Sequence, residues 1–538
     1  MKQQILLPIY TLLVIIFPSF LMAQSSEGTD FWLAFMEHRN VNANTKMVMI
    51  TSKENTSGTV SMPGKGWATN FEVNANEVKL IQLPGYAETI GSEKYDNTGI
   101  HVTAQHTVSV YAHQFANLRS EAALILPTPS LGKEYLVMSY YGFDGVNGGE
   151  WYPSEFIIIG VEDETQLTIT PTDQTYGGKT AGTPFTITLD QGETYQVQAR
   201  QGLLGDLTGT EVIGDKNFAI FGGVRWTQVP RNCMAMDNLY EQMYPVDTWG
   251  KSFITVPSEG VANDIFRIMA SEDNTTIYQD GNVYTTLDRG EFVEKQISGV
   301  ATSIKADKPI LVAKFNTGNS CNGMNTGNGD PSMVFLNSVE QTKDSITLYS
   351  SAFENIALNY IDIVVRSDDT SSVYVDGNKV SGSSFEVVAG NTDYAFAQLR
   401  VGAGTHNLHN TGCGMIATAY GYGRYESYSY SGGANFKKIN LNPIPEGGCL
   451  NDTLFFTTGL PLGKAMAEWD FGDGFYSNQL EPAHIYTELG KYQVRLVVFD
   501  LCLKTTDTIY QDLLITLRDT VMGGDDFEVC TGIPVQLS

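Results

Sequence analysis

Oxygen-bearing side chains crowd four short stretches of this chain: SKENT at 52–56, VEDET at 161–165, SEDNT at 271–275 and SDDTS at 367–371. Carboxylates and amides gathered on a loop are what calcium takes as ligands, so calcium is the one cofactor these stretches could hold. None of the four has the alternating ligand spacing of an EF-hand loop. Asp, Asn, Ser and Thr also favour hairpin turns on their own account, and the stretches read first as turns without a metal. Other chemistry is thinly represented. His101, His106 and His113 fall in or beside one hairpin, and His406 and His409, three apart, point to opposite faces of a strand. There is no HExxH and no cysteine pair at zinc-finger spacing. Gly177-Gly178-Lys179-Thr180 resembles the end of a phosphate loop, but Asp173 stands where the first glycine belongs and no helix pattern follows, so it reads as a turn. No GxSxG elbow exists, and the carboxylates cannot be sorted into a catalytic pair without geometry. The chain reads as non-enzymatic, with a carbohydrate-active enzyme as the less favoured alternative.

Residues suited to recognition are easier to find. Trp151 and Tyr152 follow a Gly-rich loop, Arg225 and Trp226 stand with Arg231 in a long connection, and YGYGRYESYSY at 420–430 holds Tyr422, Arg424, Tyr425 and Tyr428. Tyrosine interleaved with Ser, Gly and Arg gives rigid amphipathic contact area at small entropy cost, as in antibody paratopes. These nine are the candidate ligand-binding residues. The competing reading is packing, since Tyr420 and Tyr422 continue the alternation of a strand.

The elements that would position these residues are strands. FRIMASEDNTTIYQDG at 266–281 alternates apolar and polar residues on either side of a short polar turn, which predicts a hairpin. The same pattern recurs at 46–64, 156–171 and 360–377. Each copy follows an apolar strand opened by Gly28, Gly132, Gly250 or Asp344, and each is followed by a two-strand closing segment, from His101, Thr210, Thr302 and His406. A period of about a hundred residues with six or seven short strands suits one sandwich per repeat. The expectation is therefore an all-β chain of tandem β-sandwich-like units at 28–131, 132–249, 250–343 and 344–433. Glycine at 53, 27 Tyr, 26 Phe and 17% charged residues agree with short strands and many turns.

Lys2, an apolar run at 5–17, Pro18 and a small-residue exit at Ala23 read as a signal peptide at 1–23, too short to span a bilayer of ~30 Å. No later segment is long and apolar enough to cross, so the mature chain is expected without a transmembrane segment, secreted or at the cell surface. A formal net charge of −27 argues against nucleic acid, whose binding needs a basic surface. Six cysteines are too few to staple 538 residues, but export permits bridges. Cys449 and Cys502 flank one later module and are the best pair; Cys233, Cys321 and Cys413 form an odd set, so at least one is free or paired outside it, and Cys530 stands near the end.

Two resemblances add to this. GTDFWLAFM at 28–36, VSVYAHQ at 108–114, LYEQMYPVDTWGKSFITVP at 239–257 and GDPSM at 329–333, in that order, resemble the N-terminal domain of IgG Fc-binding proteins, which also occurs in bacterial surface proteins. The resemblance covers most of 28–430, within a region taken as 24–433. It implies extracellular protein binding or adhesion rather than catalysis. Animal relatives carry Cys-Asp-His-Leu where this chain has Met236-Asp237-Asn238-Leu239, so Fc binding itself is not carried across. EWDFGDG at 468–474, with Pro482, His484, Tyr486, Gly490 and YQVRLVV at 492–498, is similar to a PKD domain, an immunoglobulin-like sandwich expected over 438–518. Independently of that likeness, Trp469 and Phe471 share one strand face, Gly472-Asp473-Gly474 makes a turn, and Tyr492, Val494, Leu496 and Val498 oppose them. Asp470 and Asp473 are turn residues that need no metal. A further module is expected to begin at 519–538. The functional expectation is a non-catalytic adhesion or ligand-binding protein that takes an extracellular protein or glycan on its loops. The alternative is a structural spacer.

Overall fold

The computed structural model describes residues 25–144, 150–201, 205–324, 327–353, 355–436, 444–445, 447–458, 463–521 and 527–530. The expected signal peptide at 1–23 lies outside these. The protein is all-β: forty-two strands are joined by turns, with six short 3-10 turns and no α-helix among the described residues.

One pairing pattern recurs through the larger part of the chain. The strand Ile100–Ala116 pairs along its first half with Glu27–Leu33 and Thr56–Met62, and along its second half with Thr45–Thr51 and Arg119–Ile125. Glu211–Thr227 does the same with Gly132–Leu136 and Thr165–Thr170, then with Ser154–Gly160 and Asp237–Gln242. Thr302–Asn316 repeats it with Gly250–Thr255 and Thr275–Gln279, then Asp264–Ala270 and Ser332–Phe335. The last copy divides the long strand into Gly404–Asn410 and Ile416–Gly423 around Gly412 and Gly414, and each piece keeps its expected partners. The division follows from sequence, because a Gly-Cys-Gly turn cannot continue a ladder and Gly414 sits at φ +82°.

The last strand of each pattern returns inward. Arg119–Ile125, Asp237–Gln242, Ser332–Phe335 and Glu426–Ser431 are buried on both faces almost throughout. A strand buried on both faces cannot close a core with its own sheet alone. Here the four return strands surround a common axis, the first lying beside the second and fourth, and the third beside the same two. The largest core accordingly runs from Phe31 to Phe436, and two smaller ones lie within the third copy and between the third and fourth. Tyr111 ties the first sheet to the fourth, its hydroxyl bonded to the carbonyls of Thr347 (3.1 Å) and Gly432 (2.9 Å). Ser26 closes the circle with Ala434: its N–H donates to the Ala434 carbonyl at 2.8 Å and its hydroxyl accepts the Ala434 N–H at 3.0 Å.

The C-terminal module is an immunoglobulin-like sandwich. Gly447–Cys449, Thr505–Thr516, Gly490–Asp500, Ala465–Asp470 and Tyr476–Ser477 form one sheet, and Thr453–Phe455 pairs with Ala483–Ile485 in the other. Trp469 and Phe471 fill its core with Tyr486, Val494, Leu496 and Val498, and Tyr492 packs on the edge. His484 stacks on Phe471 at 4.1 Å and bonds Asp473 Oδ2 at 2.7 Å, while Asp470 Oδ1 accepts the Gly472 N–H at 3.0 Å. Gly472 has φ +79° and a Cβ there would meet the Gln493 carbonyl at 2.7 Å, which fixes glycine at this turn. Gly474 (φ +92°) lies in the same turn, and Gly490 opens the strand Gly490–Asp500. Of residues 519–538, the backbone of Arg518–Val521 pairs with Phe527–Cys530.

The cysteine expectation is corrected. Cys502 pairs with Cys413, Cα–Cα 5.3 Å, and not with Cys449. The strand Thr505–Thr516 explains why: Cys502 lies just before its first residue and Cys449 pairs with its last, which places them about 35 Å apart along an extended chain. The turn carrying Cys502 instead meets the Gly412–Gly414 turn, so the bridge joins module to body. Cys233 pairs with Cys321, Cα–Cα 5.8 Å.

Candidate functional site

Because every return strand follows its long strand through a hairpin, four loops gather at one end of the axis. Residues 117–118 and 424–425 make tight turns, with Leu118 and Tyr425 in the left-handed region at φ +62° and +57°. Residues 228–236, and the described parts 317–324 and 327–331 of the third connection, belong to longer loops. The four are stitched together. Cys233–Cys321 joins the second to the third, where the Gly318 N–H also reaches the Val229 carbonyl at 2.7 Å. The Tyr425 N–H donates to Gly327 O at 3.0 Å and the Gly329 N–H to Gly423 O at 2.8 Å. The Arg119 N–H donates to Glu426 Oε1 at 3.2 Å, joining the first to the fourth.

Trp226, at the end of the second long strand, is the centre of this face. Its indole N–H donates to the Met236 carbonyl at 2.9 Å, and the edges of Tyr152 and Phe143 meet it at 4.8 and 6.0 Å. The Arg39 guanidinium lies 3.7 Å from the Trp226 ring centroid and 5.4 Å from that of Tyr152, and Arg119 lies 5.5 Å from Trp226. Arg225 pairs with Glu37 Oε1 at 3.0 Å and faces Tyr152 at 5.6 Å. Arg231 is exposed over Tyr141 at 5.1 Å. Trp151 stacks on exposed Tyr176 at 5.2 Å, and the Tyr152 hydroxyl bonds Glu150. Each guanidinium over a ring contributes about 0.5–2 kcal/mol, so the cluster is held without a carboxylate for most of its charges.

The structure therefore brings Trp151, Tyr152, Arg225, Trp226 and Arg231 into one neighbourhood, with exposed Arg424 and Tyr425 in the fourth loop at the same end. Tyr422 and Tyr428 do not belong to it. They are 1% and 0% exposed, and Tyr428 packs against His113 while its hydroxyl donates to Asn359 Oδ1 at 2.7 Å. Both lie on strands buried on both faces, so the alternation carried them into the core. Tyr152 is also buried and serves as the wall behind Trp226. Sequence reasoning missed Arg39, Arg119 and Glu37. The available signal was composition: 37–44, 117–119, 225–236, 317–331 and 424–425 hold five arginines and no lysine in a chain of net charge −27.

Beneath the loops the return strands satisfy one another through side chains. Asp237 Oδ2 accepts the Ser120 N–H (3.0 Å), Glu121 Oε1 that of Met333 (2.6 Å) and Gln242 Oε1 that of Leu126 (2.7 Å). These bonds replace a ladder that four converging strand edges cannot form. Burial pushes the carboxyls of Glu121, Asp237, Glu241 and Asp330 well above their usual range. All four are sealed from solvent, and those of Glu121 and Asp237 accept backbone N–H groups of neighbouring strands, which is a structural role. A hollow of ≈ 940 Å³ on the C-terminal module, lined mainly by Ala465, Met466, Leu480, Val497 and Phe499, shares no residue with this cluster.

A family model described as IgGFc binding protein matches residues 121–421. The chain belongs to the IgGFc-binding protein family. A PKD domain model matches residues 457–511. Neither family is enzymatic in general, and both point to an extracellular β-rich binding or adhesion protein. Of the two positions at which this chain departs from the motif quoted above, Asn238 is buried and Met236 half-buried. Among solved structures, the native conformation of E. coli alpha-2-macroglobulin is similar at 10% identity over 89% of this chain and 38% of that one, with a TM-score of 0.15. The I9–I11 tandem from titin is similar at 12% identity over 49% of this chain and 98% of that one, with a TM-score of 0.12. The chain thus spans 38% of the alpha-2-macroglobulin chain, and neither likeness informs the arrangement of the sheets. No helix among the described residues is long and apolar enough to cross a membrane.

Proposed function

We propose that this family member is a secreted or cell-surface protein that holds an extracellular protein partner on its loop-bearing end, without catalysis. The observation that carries the reading is the arginine and aromatic cluster around Trp226, set on loops that a disulfide and inter-loop hydrogen bonds hold fixed. Trp, Tyr and Arg dominate the binding energy of protein interfaces, and rigid loops lose little entropy when they engage. The two bridges fit an oxidising compartment and the apolar leader at 5–17 fits export. The recurring strand pairing supports four related units at 28–131, 132–249, 250–343 and 344–433.

The test is an array of extracellular proteins and glycans probed with the full mature chain, followed by Trp226→Ala, Arg231→Ala and Tyr425→Ala together. Affinity for the captured protein is expected to fall at least tenfold, while Tyr284→Ala, on the outer edge of the third sheet, leaves it unchanged. Retention of glycans alone, or binding indifferent to the triple change, would refute the reading. An array with no ligand at all would favour a spacer.

A further inference from the structure

Acidic residues outnumber basic ones in this chain, 60 to 33, so an arginine without a carboxylate partner needs a reason. Away from the loop end, Arg267 reaches Asp206 and Glu294, Arg289 reaches Glu134 and Glu211, Arg366 reaches Asp393, and Arg495 reaches Glu468. At the loop end, among the described residues, Arg225 alone forms such an ion pair, with Glu37. Arg39 touches the faces of Trp226 and Tyr152, and among the described residues its N–H groups meet no acceptor. Arg119 donates to Asn40 Oδ1 (3.3 Å) and the Asn117 carbonyl (3.2 Å), both neutral; the buried Asp237 and Asp330 carboxyls act on it from beneath without forming an ion pair with it. Arg231 and Arg424 rest on Tyr141 and Tyr425.

Stacking occupies the flat face of a guanidinium and leaves its in-plane donors free, in the fork that matches a carboxylate. Two such groups over one indole repel each other, and an anion placed between them removes that repulsion. We propose that Arg39 and Arg119 on Trp226 form a carboxylate-binding subsite that takes an acidic, Glu- or Asp-rich segment of the protein partner. The proposal rests on the loop end being the binding face. Elsewhere the negative surface repels acidic chains, and a screening length of about 8 Å at physiological salt keeps that repulsion from reaching across to the arginines.

The experiment uses the full mature chain with fluorescein-labelled hexaglutamate, hexaglutamine and polygalacturonate as probes, read by anisotropy and by tryptophan emission at low and physiological salt. Hexaglutamate is expected to bind more tightly than either other probe and to weaken with salt. Arg39→Gln should reduce that binding about tenfold, the worth of one charged bidentate contact, and Arg39→Lys should recover part of it. Arg39 is half-buried and makes no hydrogen bond among the described residues, so the thermal transition should stay in place; Arg424→Gln, at an exposed position, gives a smaller loss and an independent check. Equal binding of hexaglutamine, preference for polygalacturonate, or indifference to both arginine changes would overturn the subsite. If the array partner still depends on Trp226 while hexaglutamate ignores Arg39, the subsite fails and the binding face stands; if the partner ignores the loops altogether, both fail.

Discussion

The C-terminal module closes its core with residues that lie within one short stretch of chain, from Ile444 to Ile515, whereas most buried apolar residues of the larger body belong to one core drawn from all four copies of the pattern, with a smaller local core in the third. In the body each return strand is covered by strands that arrive from other sheets, and its backbone donors end on side chains from across the axis. The difference teaches that the module can melt by itself and that the body's sheets, joined through the shared core, melt together. Cooperative units follow the contiguity of buried contacts rather than repeats in sequence.

The sharpest way to break this comparison is in the module. Trp469→Ala empties the centre of its core and should cost about 3–5 kcal/mol, lowering the module's calorimetric transition and leaving the body's in place. Movement of both transitions would merge what is separated here. Next comes Asp237→Ala, which strands the buried Ser120 N–H; a loss of about 1–3 kcal/mol should appear as a shift of one undivided body transition. Splitting of that transition into several would show that the sheets are independent.

Acidity separates the two regions more gently. Glu121, Glu155, Asp237, Glu241 and Asp330 have carboxyls raised by burial, so the folded body binds protons that the unfolded chain gives up above about pH 4. Their contribution is whole below that pH and is lost as pH rises through the folded values. His38 and His113 are pushed down to about 3 by burial, and their contribution is whole above about pH 6.5 and is lost as pH falls. The carboxyls outnumber the histidines, so the body should be most stable near pH 4 to 5 and should melt progressively earlier toward pH 9, as read by scanning calorimetry. A flat profile would contradict the buried axis.

Smaller effects concern the joint and the turns. Cys413→Ser should leave both transitions within a few degrees of their places while the radius of gyration from solution scattering increases, because the bridge sets the module against the body. Calcium should move neither transition by more than about a degree, since turn carboxylates already hold backbone: Asp163 accepts the Gln191 N–H, Asp273 that of Arg289 and Asp369 that of Cys413. A rise of several degrees would assign the ion to those turns.

What the sequence made legible was local. Alternation placed Trp469 and Phe471 on one face, and the acidic turns marked hairpins, because strand period and turn chemistry are written within a few residues. The partner of Cys502 was not legible, since it depends on how two bodies meet. Tyr422 and Tyr428 were misread for the same reason: paratope-like composition cannot reveal that a strand is covered on both sides. Arg39 went unnoticed because its meaning comes from Trp226, far along the chain, and only the fold puts the two in register.

The seam where Ser26 meets Ala434 has a consequence for orientation. The return strands run from the loops at Arg119, Asp237, Ser332 and Glu426 toward that seam, and the C-terminal module is bridged on the same side, through Cys413. Both chain connections of the body therefore leave from one pole. Whatever grips the protein by its module holds it like a stalk, with the arginine-lined pole turned to the open.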